Sequence, residues 1–304
     1  MRPEPMRSPP YAPLPHPLND AGETRTVGLE LEFGGLTAAD AAAVLERWSG
    51  SSAEARDPHS FTVEHARLGE LQIYLDMASA HPKGGSDETD LDRTLRGVLG
   101  DTAQAVVPVE IVTAPLAPDH LPDLDPLVRA LRAAGAVGTQ SSIFYAHGMH
   151  LNVEVRALSA ERIAPVLRAF LLLEDWMREK MEIDLTRRTF AFVNPFPSAY
   201  VDRAAQDDFG ADTDRLIGDY LAHNPTRNRS LDMTPVFAMI DRARVEAALR
   251  GEKLKPRPTF HYRLPDCSID QEGWTPAGDW NLWVALERIS ERADIVDELA
   301  RAWI

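Results

Sequence analysis

The residues of this 304-residue chain best placed to do chemistry are acids and imidazoles set at every second position of alternating runs. In Thr26-Val27-Gly28-Leu29-Glu30-Leu31-Glu32-Phe33, the apolar Val27, Leu29, Leu31 and Phe33 alternate with Glu30 and Glu32. Successive side chains of a strand point to opposite faces, so the two carboxylates stand on one face, about 7 Å apart. Like charges at that spacing are mildly unfavourable unless water screens them or a cation neutralises them. Such a strand therefore either faces solvent or lines a metal site.

The same pattern returns along the chain. Val107–Thr113 sets Glu110 and Val112 opposite Val109 and Ile111, and Gly148–Val155 puts His150, Asn152 and Glu154 on one face. In Pro258–Leu264, Thr259, His261 and Arg263 share a face. Glu30, Glu32, Glu70, Glu110, His150, Asn152, His261 and Arg263 are hard ligands or donors for anionic oxygen. If the strands lie in one antiparallel sheet with helices on the apolar side, their polar faces converge on a groove that can hold a divalent cation and a phosphate. Carboxylates with water and phosphate suit magnesium; the compact His or Cys spacing of a zinc site is missing. Each residue also has a plain alternative. Glu70 reads as an exposed hairpin carboxylate, His150 as a satisfied buried histidine, and Arg229 and Arg263 as surface charges paired with the abundant acids. No Gly-x-Ser-x-Gly elbow, Walker A loop or dinucleotide glycine fingerprint occurs.

The elements that must position these groups form an α+β pattern. Thr37 caps a helix running to Trp48, with Asp40 in the capping-box position. Phe61–His65 and Glu70–Leu75 read as a hairpin. His81–Ser86 is a polar loop, either a cover for a site or a connector, and Glu88–Ala105 reads as a helix. Further helices are expected over Leu124–Ala134, Ser159–Met181 and Asp212–His223. Met233–Arg250 reads as one or two helical pieces, and Trp280–Ile304 as one closing amphipathic helix. Asp184–Ala211 has no regular pattern, and Asn224–Ser230 is a basic loop in an acidic protein.

Composition narrows the class. Hydrophobic residues at 44% and charged residues at 26% are ordinary for a globular protein, and no apolar run approaches the span of a bilayer. The proline-rich residues 1–22 lack the features of a signal peptide and read as a disordered leader, leaving residues 23–304 as a single domain of a cytoplasmic protein. Cys267 is the only cysteine, so neither an intrachain disulfide nor a thiolate cluster can form. A net charge of −15 argues against nonspecific nucleic-acid binding. A nucleotide could still bind through local arginines and a divalent ion, and an oligomer is compatible with the composition.

The ordered set Gly28-Leu29-Glu30-Leu31-Glu32-Phe33, Val109-Glu110-Ile111-Val112-Thr113-Ala114-Pro115-Leu116, Gly148-Met149-His150-Leu151-Asn152-Val153, Arg229-Ser230-Leu231-Asp232 and Thr259-Phe260-His261-Tyr262-Arg263 resembles the amidoligases. These carboxylate–amine ligases are relatives of glutamine synthetase and glutamate–cysteine ligase. The resemblance implies a curved antiparallel sheet with helices on its convex face, and an active site on the concave polar face. It implies that Glu30, Glu32 and Glu110 hold Mg2+ with ATP, that His150 lies beside the metal and the phosphates, and that Arg229 and Arg263 stabilise the phosphoryl group. It further implies a substrate pair of a small-molecule or peptide carboxylate and an amine or ammonia, joined through an acyl phosphate. The family's last strand usually reads Glu-x-Arg; here His261 stands at the first of these positions, as a metal ligand without negative charge. That departure keeps open a weakened relative that binds a nucleotide or peptide. A metal-dependent hydrolase on the same face is a third reading.

Overall fold

The computed structural model describes residues 8–75, 108–139, 148–181, 193–252 and 254–304. The expected loop His81–Ser86 and helix Glu88–Ala105 lie outside these residues, as does the start of the strand expected from Val107.

Alternation dictates the sheet. Strands β1 (Val27–Phe33), β2 (Ala53–Asp57), β3 (Ser60–His65), β4 (Gly69–Leu75), β5 (Val109–Thr113), β6 (Met149–Glu154), β7 (Leu231–Asp232) and β8 (Thr259–Tyr262) pair antiparallel in the order β2-β3-β4-β5-β1-β6-β8-β7. The strand carrying Glu30 and Glu32 therefore lies between the strands carrying Glu110 and His150. β1 ends where Gly34 and Gly35 turn the chain: Gly35 has a φ of +81°, and a Cβ there would meet the Gly135 carbonyl oxygen at 2.4 Å. Glycine is needed on both counts.

The helices supply the core's other half. Helix α1 (Ala38–Ser49) starts with the expected capping box between Thr37 and Asp40. α2 (Asp125–Ala133), α3 (Ala160–Lys180), α4 (Ser198–Ala204), α5 (Thr213–His223), α6 (Thr234–Ile240), α7 (Arg242–Leu249), α8 (Ala277–Ser290) and α9 (Ala293–Trp303) follow. Their apolar stripes join Val27, Leu29, Leu31, Phe33, Leu71, Ile73, Ile111, Leu151 and Phe260 in one buried cluster. One face of the sheet is thus committed to packing, which pins the register: a slip by one residue would put Glu30 and Glu32 into the apolar core.

Several expectations need correction. Residues 8–22 are not a loose leader. The Trp280 indole donates to the Ala12 carbonyl at 2.8 Å, the Asn281 side chain accepts from the Ala12 amide at 2.7 Å, Tyr11 donates to Asp125 at 2.7 Å, and Leu14 is buried. Prolines restrict the free chain as well as the docked one, so an extended proline-rich segment loses little entropy on docking. Within the stretch read as irregular, α4 forms a short helix. The closing helix is two: Ser290 Oγ bonds back to the Glu287 carbonyl, and Arg292 leaves helical geometry at φ −99° and ψ 81°. β2 went unread because its Ala-Glu-Ala-Arg-Asp sequence is largely exposed and lacks an apolar face.

Among the described residues no helix is long and apolar enough to cross a membrane.

Candidate active site

Register places the chemistry. Across the β1–β6 pair Glu30 faces His150 and Gly28 faces Asn152; across β1–β5 Glu32 faces Glu110. His261 of β8 lies between Asn152 of β6 and Asp232 of β7. Strand alternation therefore carries Asp232, His261, Asn152, His150, Glu30, Glu32 and Glu110 on the face turned away from the apolar core. This face is not wet. Glu30, Glu32 and Glu110 are only 8%, 7% and 7% exposed, and Asp232 is fully buried.

Glu30 is the centre of the contacts. Its Oε2 lies 2.9 Å from His150 Nδ1 and 3.7 Å from His261 Nε2. Its Oε1 accepts from Asn152 Nδ2 at 2.7 Å and from the Arg257 guanidinium at 3.2 Å. Glu32 accepts from the Gly148 amide at 2.8 Å and lies 3.6 Å from His150 Nε2. Two groups have metal-ligand spacing, with ligand atoms within 4.8 Å of one another: Glu30, His150 and His261, and Glu32, Glu110 and His150.

Electrostatics sharpen the picture. Burial alone would push the Glu30 carboxyl up, but its interactions with His150 and His261 outweigh that and hold it well below the usual carboxylate range. Burial, helped by the nearby Arg263 guanidinium, pushes the His150 imidazole down against the pull of Glu32 and Glu30. A neutral imidazole has one N–H and one lone pair. With Glu30 on one side of the ring and Glu32 on the other, the lone pair faces a carboxylate, an arrangement that a cation between them relieves. The donor set thus fits a divalent ion: several buried acids, two imidazoles and no thiolate, since burial pushes the Cys267 thiol up.

The remaining residues named from sequence fall apart into two kinds. Arg263 lies close enough to His150 to lower its basicity and donates to the Arg227 carbonyl at 2.8 Å. Arg229 bonds elsewhere: to Asn224 Oδ1 and the Pro195 carbonyl, both at 2.8 Å, with its guanidinium over the Phe196 ring. Glu70 pairs with Arg56 and Gln72 at the half-exposed hairpin, outside the cluster, in keeping with its plain reading. Glu154 is structural, its carboxylate accepting from the Thr26 amide and hydroxyl and from Asn19.

Sequence reasoning assigned no role to Arg257, Arg227 and Asp232. Arg257 stands between two prolines, Pro256 and Pro258, which favour an extended backbone leading into β8. That signal marks position but not chemistry. Asp232 sits in a two-residue strand, too short to show alternation.

No curated protein and no solved structure matches the chain. A family model described as "Putative amidoligase enzyme" matches residues 23–285, a span that contains every residue of the polar cluster. The chain belongs to the amidoligase family.

Proposed function

We propose that the protein is an ATP-dependent carboxylate–amine ligase that activates a carboxylate as an acyl phosphate and transfers it to an amine or ammonia. The observation that supports this most is the burial of Glu30, Glu32 and Glu110 side by side with His150. Burying several ionised acids together is costly unless cations offset them, and the three arginines at the rim suit an anionic substrate.

Glu30, Glu32 and Glu110 would hold Mg2+, which when bound neutralises triphosphate charge as two anions are brought together. His150 orients Glu30 through the 2.9 Å contact and keeps its other nitrogen toward Glu32. Arg257 and Arg263 present guanidinium groups beside this face, suited to the oxygens of a transferring phosphoryl group. Arg229 could reach such a group only by giving up Asn224 and Pro195. The substrate carboxylate oxygen attacks the γ-phosphorus and ADP leaves; the amine nitrogen then attacks the acyl carbon, expelling phosphate and losing a proton.

The test is ADP release from ATP and Mg2+ with a pool of amino acids and amines. Release that requires both an acid and an amine, and is lost in Glu30→Gln, supports the ligase. ATP binding without turnover across a wide pool supports the second reading, a nucleotide- or peptide-binding relative, to which an imidazole at His261, 3.7 Å from Glu30, in place of the carboxylate usual in the family lends weight. Amide consumption without ATP would make it a hydrolase.

A further inference from the structure

We infer that Glu30, His150 and His261 form a nitrogen-rich centre that takes a first-row transition-metal divalent ion, of which Mn2+ is the probe, in preference to Mg2+, with Asp232 as its positioning residue. The inference rests on the reading of this face as a metal and phosphate site, and it assigns that site's metal class.

Asp232 is held rigidly. Its Oδ1 accepts from the Thr234 amide at 2.9 Å and the Thr234 hydroxyl at 2.6 Å, so its orientation is locked from within the chain. Its Oδ2 faces His261 Nδ1 at 3.4 Å and Arg227 Nε at 3.4 Å. A carboxylate beside Nδ1 keeps the ring proton on that nitrogen and leaves the lone pair on Nε2.

That Nε2 is where the observations converge. His261 is 4% exposed, and its Nε2 is buried without a hydrogen-bond partner. It points at Glu30 Oε2 across 3.7 Å, and the His261 ring meets the His150 ring edge-on at 5.3 Å between centroids. With the ring proton on Nδ1, the Nε2 lone pair faces the carboxylate, and 3.7 Å is too far for a direct hydrogen bond. One cation between them satisfies both, because atoms that each lie roughly 2.0–2.2 Å from a shared ion stand about 3–3.6 Å apart. The sequence carboxylate, histidine, metal is a recurrent way to orient an imidazole ligand and raise its basicity.

Two imidazoles and one carboxylate favour ions from Mn2+ to Zn2+, whereas Mg2+ prefers oxygen and gives up water reluctantly. His150 lends one nitrogen to this centre. Glu32 and Glu110 remain as an oxygen-rich pair for a second, harder ion.

The full chain, stripped of metal, is titrated with Mn2+ and with Mg2+ by calorimetry, and nitrogen couplings to substoichiometric Mn2+ are counted by pulsed EPR. The wild type should bind Mn2+ roughly a hundredfold more tightly than Mg2+, with two nitrogens on the ion. His261→Glu should shrink that ratio by about tenfold or more and remove one nitrogen. His261→Gln repeats the nitrogen count should the charged variant fail to fold. Asp232→Asn should weaken Mn2+ binding roughly ten- to a hundredfold while both nitrogens remain. An unchanged ratio and nitrogen count in His261→Glu, or Mn2+ bound without nitrogen, overturns the inference. Two nitrogens on Mn2+ in a protein that never turns over ATP would leave it standing and remove the ligase reading. ATP turnover with no nitrogen on the ion would do the reverse.

Discussion

His150 and Glu30 face each other across the β1–β6 pair with 2.9 Å between imidazole and carboxylate, and both are nearly fully buried. The pair is a junction: from Glu30 the contacts run to Asn152, Arg257 and His261, and from His150 to Glu32. If the cluster holds a divalent ion, the ion adds to stability by mass action. At a hundred times its dissociation constant it should contribute about 2.7 kcal/mol. Chelation should therefore lower the melting temperature by several degrees, and Glu30→Gln should remove the difference between chelated and metal-loaded protein. Identical shifts on chelation in wild type and variant would place the ion elsewhere.

Arg257 and a metal ion held by Glu30 would compete for the same carboxylate. The guanidinium sits 3.2 Å from Glu30 Oε1 and is about a third exposed. Arg257→Ala should strengthen divalent-ion binding slightly, because a competing cation is gone, and raise the KM for ATP about tenfold or more by the loss of a charge-assisted phosphate contact. Parallel weakening of both would show that Arg257 only supports the fold.

Arg25 and Glu287 form a buried bidentate pair, at 2.9 and 2.8 Å, joining the start of β1 to α8. Removing one partner leaves an uncompensated buried charge. Arg25→Ala should cost about 3–5 kcal/mol in denaturant unfolding, and Arg25→Met with Glu287→Met should recover much of it. A small cost for the single variant would mean that water reaches the pair.

Tyr11 gives the docked N-terminal segment a pH dependence. Burial, with the Asp125 charge beside it, raises the phenol above its ordinary value of 10.0. With its pKa raised in the docked state, the contribution of Tyr11 is complete below pH 10.0 and declines as pH rises past that value. Trp280, bonded to Ala12, should report undocking by its fluorescence above that pH, ahead of global unfolding. Tyr11→Phe should move the transition to higher pH; an unmoved transition would assign it to another group.

The polar face was legible because period-two alternation is strong in β1, β5, β6 and β8, and each carries a chemistry-bearing residue at a non-core position. The hairpin and the Thr37 cap were legible for the same local reason. What sequence could not convey was burial: Glu30 and Glu32 read equally well as a wet face, and only their neighbours across the sheet enclose them. Asp232 and Arg257 escaped because their importance comes from long-range pairing, with His261 and Glu30 respectively, not from local pattern. Residues 8–22 were misread because proline content signals absence of helix and sheet, which is not absence of packing. The single closing helix failed on a local break at Arg292 that the amphipathic stripe continues through.

On the proposed reading, nucleotide phosphates and metal meet on the face carrying Glu30, Glu32, Glu110 and His150. The direct measurement is a crystal structure with Mn2+ and a non-hydrolysable ATP analogue, with the ion located by its anomalous signal. An anomalous peak is expected within ligand distance of Glu30 or Glu32, with the phosphates beside Arg257 and Arg263. Phosphates and metal seated away from this face would contradict it.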